Sequence, residues 1–303
     1  MLLVDEVLSR IGPNDRVLDV GGWACPFNRA NWVLDCEPFE TRGYYKTVGL
    51  PASQGGEIEH FTHQTWIQRD ICEHSPWPFP DKFFDFAICS HTLEDIRDPL
   101  FVCSELNRVA KRGYIETPSR LAETCRGWES EAIAGLSHHR WLIDYGDAWL
   151  DFNSKYHMIH GERRHNLPPR LFFSLSAEEQ VSWLFWESSF AFEEHVIHGL
   201  ENQSRFLSEF VDKIAATERF HGLAHEPTPS PTTVPSASFA PLENELAETR
   251  LRLDAAHREL AGYHDLGPIA LGLARRLRRA STRFPQVAKM VKPMVRLARS
   301  VLR

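Results

Sequence analysis

The chain has 303 residues, and its nine Trp and 19 Phe are enough to bury a core, which excludes a globally disordered protein. Its formal charge of −7 is uneven: residues 266–303 carry ten Lys or Arg and no Asp or Glu, so the rest holds −17. That acidic body excludes a nucleic-acid surface, while the basic end suits an anionic one.

The six cysteines (25, 36, 72, 89, 103 and 125) are scattered, fitting neither a zinc site nor a disulfide framework. No apolar run reaches the ~18 residues that would mark a membrane span. The N-terminal Met-Leu-Leu-Val-Asp-Glu has no basic-then-apolar order of a secretory signal. These features together predict a cytoplasmic protein with reduced thiols.

In chain order, Leu3, Val7, Leu8 and Ile11 predict a short amphipathic helix over 3–11, broken by Gly12-Pro13-Asn14-Asp15. Val17-Leu18-Asp19-Val20 reads as a buried strand, and Gly21-Gly22 as a sharp turn where a ligand can approach the backbone. A second apolar run, Trp32-Val33-Leu34, ends at Asp35, a place for a carboxylate to accept from ribose hydroxyls. The short connection between Gly22 and Asn31 leaves room for at most two helical turns. A short strand near Trp66–Arg69 ends at Asp70. Trp77-Pro78-Phe79-Pro80-Asp81 is a rigid turn before a buried strand, Phe84–Cys89, which gives way to Ser90-His91. A helix over Leu100–Ala110 and a strand over Gly113–Pro118 follow.

Asp70, then PWPFPDKFFDFAICSHTLEDIRDP, then ELNRVAKRGYIETP, resembles the class I S-adenosylmethionine-dependent methyltransferases over residues 15–119. Family members commonly show LPFPDxSFDxV, LEHxxDP and ExxRVLKPGG in that order. The resemblance implies an α/β fold: a doubly wound, mostly parallel Rossmann-like sheet, here with an inserted lid and a helical C-terminal tail. It implies S-adenosylmethionine as cofactor. It puts the glycine-rich loop on Asp19, Gly21 and Gly22, and the ribose-binding acid on Asp35. The adenine contact falls on Asp70 with Ile71 beside it, and the edge of the methyl-donor site on Ser90 and His91. The pattern departs from the family in three places. Trp23 and Cys25 stand where DxGxGxG has glycine, Asp95 where His is common, and Arg112-Gly113 where two glycines are usual.

Residues 121–165 are rich in Trp, His and Arg, and a hairpin is predicted there, Arg140–Asp144 with Ala148–Phe152. Methyl transfer to oxygen or nitrogen is a displacement that needs alignment and a proton acceptor, so His91, His138 and His139 are the catalytic candidates. The histidines of 138–165 match no zinc spacing, and no metal is expected. Aromatic rings with His and Arg suit a carbohydrate, although the tryptophans equally suit a small core of their own. Val181–Trp186 and Phe190–Ile197 are predicted to pair as a second hairpin that completes the sheet.

The expected organisation is a cofactor-binding core over 1–120, a substrate lid over 121–177 and closing strands with a helix over 178–222. A Pro/Ser/Thr-rich linker over 223–241 and a basic amphipathic tail over 242–303 follow. The expected activity is methylation of a hydroxyl on a carbohydrate or other small or lipid-linked acceptor. Expected partners are that acceptor, an anionic membrane surface on the cytoplasmic side through the tail, and a second copy through the heptad-like Leu242–Leu260, with no nucleic acid. The alternative is a catalytically silent methyltransferase-like binding or scaffold module, which the altered loop at Trp23–Cys25 motivates.

Overall fold

The computed structural model describes residues 1–224. The heptad-like segment, the basic tail and all but the first two residues of the linker lie outside the described residues. Among the described residues there are nine strands: β1 (Val17–Val20), β2 (Trp32–Asp35), β3 (Trp66–Gln68), β4 (Phe86–Ser90), β5 (Arg112–Pro118), β6 (Trp141–Gly146), β7 (Trp149–Ser154), β8 (Val181–Glu187) and β9 (Ala191–Glu194). The main sheet runs β3-β2-β1-β4-β5-β8, with the first five strands parallel and β8 antiparallel to β5. It is a doubly wound, mostly parallel Rossmann-like sheet, whose order reverses between β1 and β4.

Strands buried on both faces read as continuous apolar runs, and alternate residues serve opposite faces. Val17, Phe86, Ile88 and Tyr114 pack with Val7 of α1 (Val4–Arg10) on one side. Leu18, Val20, Ala87, Cys89 and Ile115 pack on the other with Val102, Leu106 and Val109 of α2 (Pro99–Val109). Asp98 caps α2 by accepting from the Phe101 amide at 2.9 Å, and Pro99 occupies the first turn, where a missing N–H costs nothing.

The parallel register brings the carboxyl ends of the strands to one edge, with Asp35 opposite Gln68 and Ser90 opposite Glu116. Ligands in open α/β sheets bind at that edge.

One connection falls within the expected limit, and a second differs from expectation. Residues 21–31 form no helical turn. The loop instead zips to residues 53–56: Asn28 donates from its amide to the Gln54 carbonyl at 2.6 Å, and from its side chain to Ser53 and the Gly56 carbonyl. The second hairpin is also absent. β8 joins the main sheet, but β9 leaves it to pair parallel with β7, which is antiparallel to β6. The cause is Asn107 of α2, whose side chain bonds both the amide and the carbonyl of Phe190, at 3.0 and 2.8 Å. Anchored there, the chain crosses over α2 instead of folding back along β8.

The β6–β7 hairpin forms where the sequence predicts it, and Ile143, Leu150 and Phe152 join the main core cluster. Beyond it, a helix over Leu200–Ala215 packs against the described core through Leu207, and Arg120 lies over Phe206 and Phe210.

Candidate cofactor and catalytic site

The first turn of the site is built by close approach. Gly21 sits at φ +76°, and a Cβ there would lie 2.3 Å from the Thr92 hydroxyl oxygen. At Gly22 a Cβ would lie 2.1 Å from Oδ2 of Asp19. The glycine pair is thus required by the protein's own packing between β1 and the turn after β4. Asp19 is 3% exposed and its Oδ2 accepts from the Phe27 amide at 2.8 Å. Burial pushes its carboxyl up to about 7, against the Phe27 hydrogen bond and with help from nearby Asp35. Asp19 is therefore the pin of the loop.

Trp23 does not turn back onto that pin. Its ring stacks on Tyr44 at 4.9 Å, packs against the Val33–Phe61–Trp66 cluster, and donates from Nε1 to Thr41 at 3.0 Å. The Gly43 and Tyr45 amides donate to the carbonyls of Trp23 and Ala24, so the segment after β2 holds the altered loop in place.

Asp35, at the end of β2, accepts from the Trp23 amide on one carboxylate oxygen and the Glu37 amide on the other, both at 2.9 Å. Burial raises its pKa, and those amides oppose the rise. Each oxygen keeps a second lone pair, so the carboxylate can still accept from a ligand hydroxyl. Asp70 is more open. It pairs with Arg97 at 2.5 Å and accepts from the Cys72 amide at 2.9 Å, contacts that together outweigh partial burial and lower its pKa. Ile71 is buried, and its carbonyl accepts from the Trp77 indole. These positions fit a nucleoside-bearing cofactor lying along the strand ends.

His91 follows β4 at φ +53°, a conformation that costs a non-glycine residue of order 1 kcal/mol and draws attention to the position. Its amide donates to the Glu116 carbonyl at 2.8 Å, and its Nε2 lies 3.0 Å from Glu116 Oε1. Glu116 is fully buried on β5 and also accepts from the Tyr114 hydroxyl at 2.5 Å and the Leu2 amide at 2.7 Å. Burial works upward on this carboxyl, but the bonds from His91 and Tyr114 help hold it down at about 2. Ser90 reaches the same carboxylate at only 3.4 Å.

The three candidate histidines part company. His139 is buried, with Nδ1 2.8 Å from Glu123, which also takes Lys155 at 2.6 Å. His138 is exposed and contacts His139 edge-on at 4.5 Å. His91 and His139 are brought toward each other only through Glu94, whose Oε1 lies 3.7 Å from His91 Nδ1 and 3.9 Å from His139 Nε2. Among the described residues no cluster of three His, Cys, Asp or Glu is arranged to hold a metal. Trp128 stacks on Phe172 and Trp141 meets Phe152 edge-on, so these two rings serve internal packing, whereas Trp149 is exposed.

Sequence reasoning missed Glu94, Glu116, Glu123 and Lys155. Glu116 carried a signal, since it is the one acid within the apolar run Tyr114-Ile115-Glu116. Glu123 and Lys155 had none, because their partners come from distant segments, and Glu94 lies in a polar turn where nothing local marks an acid as buried.

Residues 47–115 match the family model described as a methyltransferase domain. A comparison with curated proteins finds no match. Among solved structures, a putative methyltransferase from Bacillus halodurans is 18% identical, covering 38% of this chain and 51% of that one at a TM-score of 0.27. A SAM-dependent methyltransferase from Aquifex aeolicus is 21% identical, covering 39% and 64% at 0.24. An arsenic(III) S-adenosylmethionine methyltransferase from Chlamydomonas reinhardtii is 16% identical, covering 38% and 48% at 0.24. The chain thus spans about half the length of the first of these. The family-model match lies across β3, β4, α2 and the start of β5, so this part of the sheet carries the sequence pattern of a methyltransferase domain.

Proposed function

We propose that the protein transfers a methyl group from S-adenosylmethionine to a small-molecule acceptor, with His91 as the proton acceptor. The cofactor supplies a methyl group on a positively charged sulfur, ready for displacement. Asp35 would hold the ribose and Asp70 with Ile71 the adenine end, while Asp19, Gly21 and Gly22 shape the loop between them. Ser90 lies at the same strand edge.

The observation that carries this reading is the Glu116–His91 pair at the carboxyl end of the sheet. When Nε2–H is donated to a carboxylate, the imidazole is fixed in one tautomer and Nδ1 keeps its lone pair for an incoming proton. His138 and His139 are set apart from this role, one by its exposure and the other by its burial against Glu123.

The acceptor we propose is a hydroxyl on a carbohydrate or other small or lipid-linked molecule. Tyr44, Tyr45 and Trp149, each with more than a third of its surface exposed, are the rings that support it. The +10 charge of residues 266–303 supports an encounter with an anionic membrane surface on the cytoplasmic side, and the heptad-like stretch supports a dimer. The test is S-adenosylhomocysteine release across a panel of hydroxylated glycans and lipid-linked sugars. Turnover with one of them, lost in His91→Asn while cofactor binding persists, is the expected result. Cofactor binding without turnover by any class of acceptor would favour the scaffold reading.

A further inference from the structure

Glu94 lies on the turn after β4 and is 2% exposed. A buried carboxyl without full hydrogen bonding is costly and calls for an explanation. Its Oε2 has no hydrogen-bond partner, and its Oε1 stands between two imidazoles that belong to different parts of the chain. On one side is His91, whose other nitrogen is anchored on Glu116 of β5. On the other is His139, whose other nitrogen is anchored on Glu123 of α3 (Arg120–Thr124), with Lys155 behind it. Each histidine therefore spends one nitrogen on a buried carboxylate and turns the second toward the same oxygen.

The backbone repeats the connection. The Glu94 carbonyl accepts from the amides of Arg140 and Trp141, at 2.7 and 3.2 Å, where β6 begins. Glu94 is thus where the inserted segment is attached to the turn that carries His91. The separations of 3.7 and 3.9 Å exceed a hydrogen bond but lie well within electrostatic range. Glu116, Glu123 and Asp95 face it with negative charge, and burial with that surrounding charge raises its pKa. The buried hydroxyl of Tyr145, held on Thr117, the half-covered Tyr45 and the buried Cys89 thiol of β4 also face it.

We propose that Glu94 is a positioning residue that couples the inserted segment to His91, so that the state of the Glu123–His139 pair sets the proton affinity of the His91 ring. The idea rests on the reading of His91 as the proton acceptor, but its test does not require an acceptor. NMR titration of histidine-labelled full-length protein follows the His91 ring directly. His139→Asn should move its midpoint by about 0.4 pH unit or more, the low end of coupling within one network. In a Glu94→Met background the same change should move it by much less than that. Met replaces an orphaned carboxyl by an apolar chain of similar size, so this variant is expected to fold.

If the Met variant does not fold, Glu94→Gln takes its place; it removes the titratable charge that both rings face at 3.7 and 3.9 Å, so the His139→Asn shift should again be much smaller. Two outcomes would overturn the proposal: no shift in the wild-type background, or an undiminished shift with Met or Gln. Titration with S-adenosylmethionine, run on the same samples, separates failure of this coupling from failure of the methyltransferase reading.

Discussion

Asp19→Asn tests the electrostatics of the loop pin. The carboxyl has an ordinary value of 3.8, lies 3% exposed, and is raised to about 7 chiefly by burial. A raised acid leaves stability untouched below its unfolded pKa and subtracts from it as pH climbs through the folded pKa. The full penalty, reached above pH ~7, is about three pKa units, or about 4 kcal/mol. Between pH 5 and pH 8 the penalty grows by on the order of 2–3 kcal/mol. Asparagine cannot ionise and still accepts from the Phe27 amide, so it should escape that growth. Its extra N–H₂ carries a cost, but a pH-independent one. Denaturant unfolding of both proteins at the two pH values reads the difference. The variant should gain about 2–3 kcal/mol on the wild type between pH 5 and pH 8. A difference that stays constant, or falls as pH rises, would show that Asp19 is ionised at little cost and that burial does not control it.

Gly21→Ala should cost about 2 kcal/mol or more, since it forces a side chain into positive φ and against Thr92. Thr92→Ala should recover part of that loss, as denaturant midpoints will show. Lys155→Met leaves Glu123 buried with only His139 beside it and should cost about 3 kcal/mol, partly restored when Glu123→Leu is added. Trp23→Ala removes the stack on Tyr44 and the bond to Thr41, so it should lower stability by about 2 kcal/mol while cofactor affinity changes little. Removal of residues 266–303 should abolish sedimentation with anionic liposomes and leave cofactor affinity unchanged.

The parallel strands were legible because burial on both faces leaves unbroken apolar runs such as Phe84–Cys89, closed by polar Ser90-His91. The Pro-rich turn before β4 and the Asp98-Pro99 start of α2 were legible because each rests on local backbone chemistry. The path of β9 was not, since it depends on one side chain, Asn107, reaching a residue 83 positions away. The loop between β1 and β2 was half legible. Its shortness was plain, but its pairing with residues 53–56 required contacts that no local pattern encodes.

The candidate site divides along the same line. Asp19, Gly21, Gly22 and Asp35 stand out as strand-end and turn residues. Trp23 stands where the family pattern has glycine, and only the Tyr44 stack shows where its ring goes. His91 and His139 could not be ranked until Glu116 and Glu123, from separate segments, came to lie beside them.

The central claim, that this strand edge holds S-adenosylmethionine, is tested most directly by calorimetric titration of the full-length protein with that molecule. The account predicts saturable one-site binding, weakened roughly 10- to 100-fold in Asp35→Ala, the loss expected for a hydrogen bond to a charged group. No binding by the wild type, or binding that Asp35→Ala leaves unchanged, would contradict it.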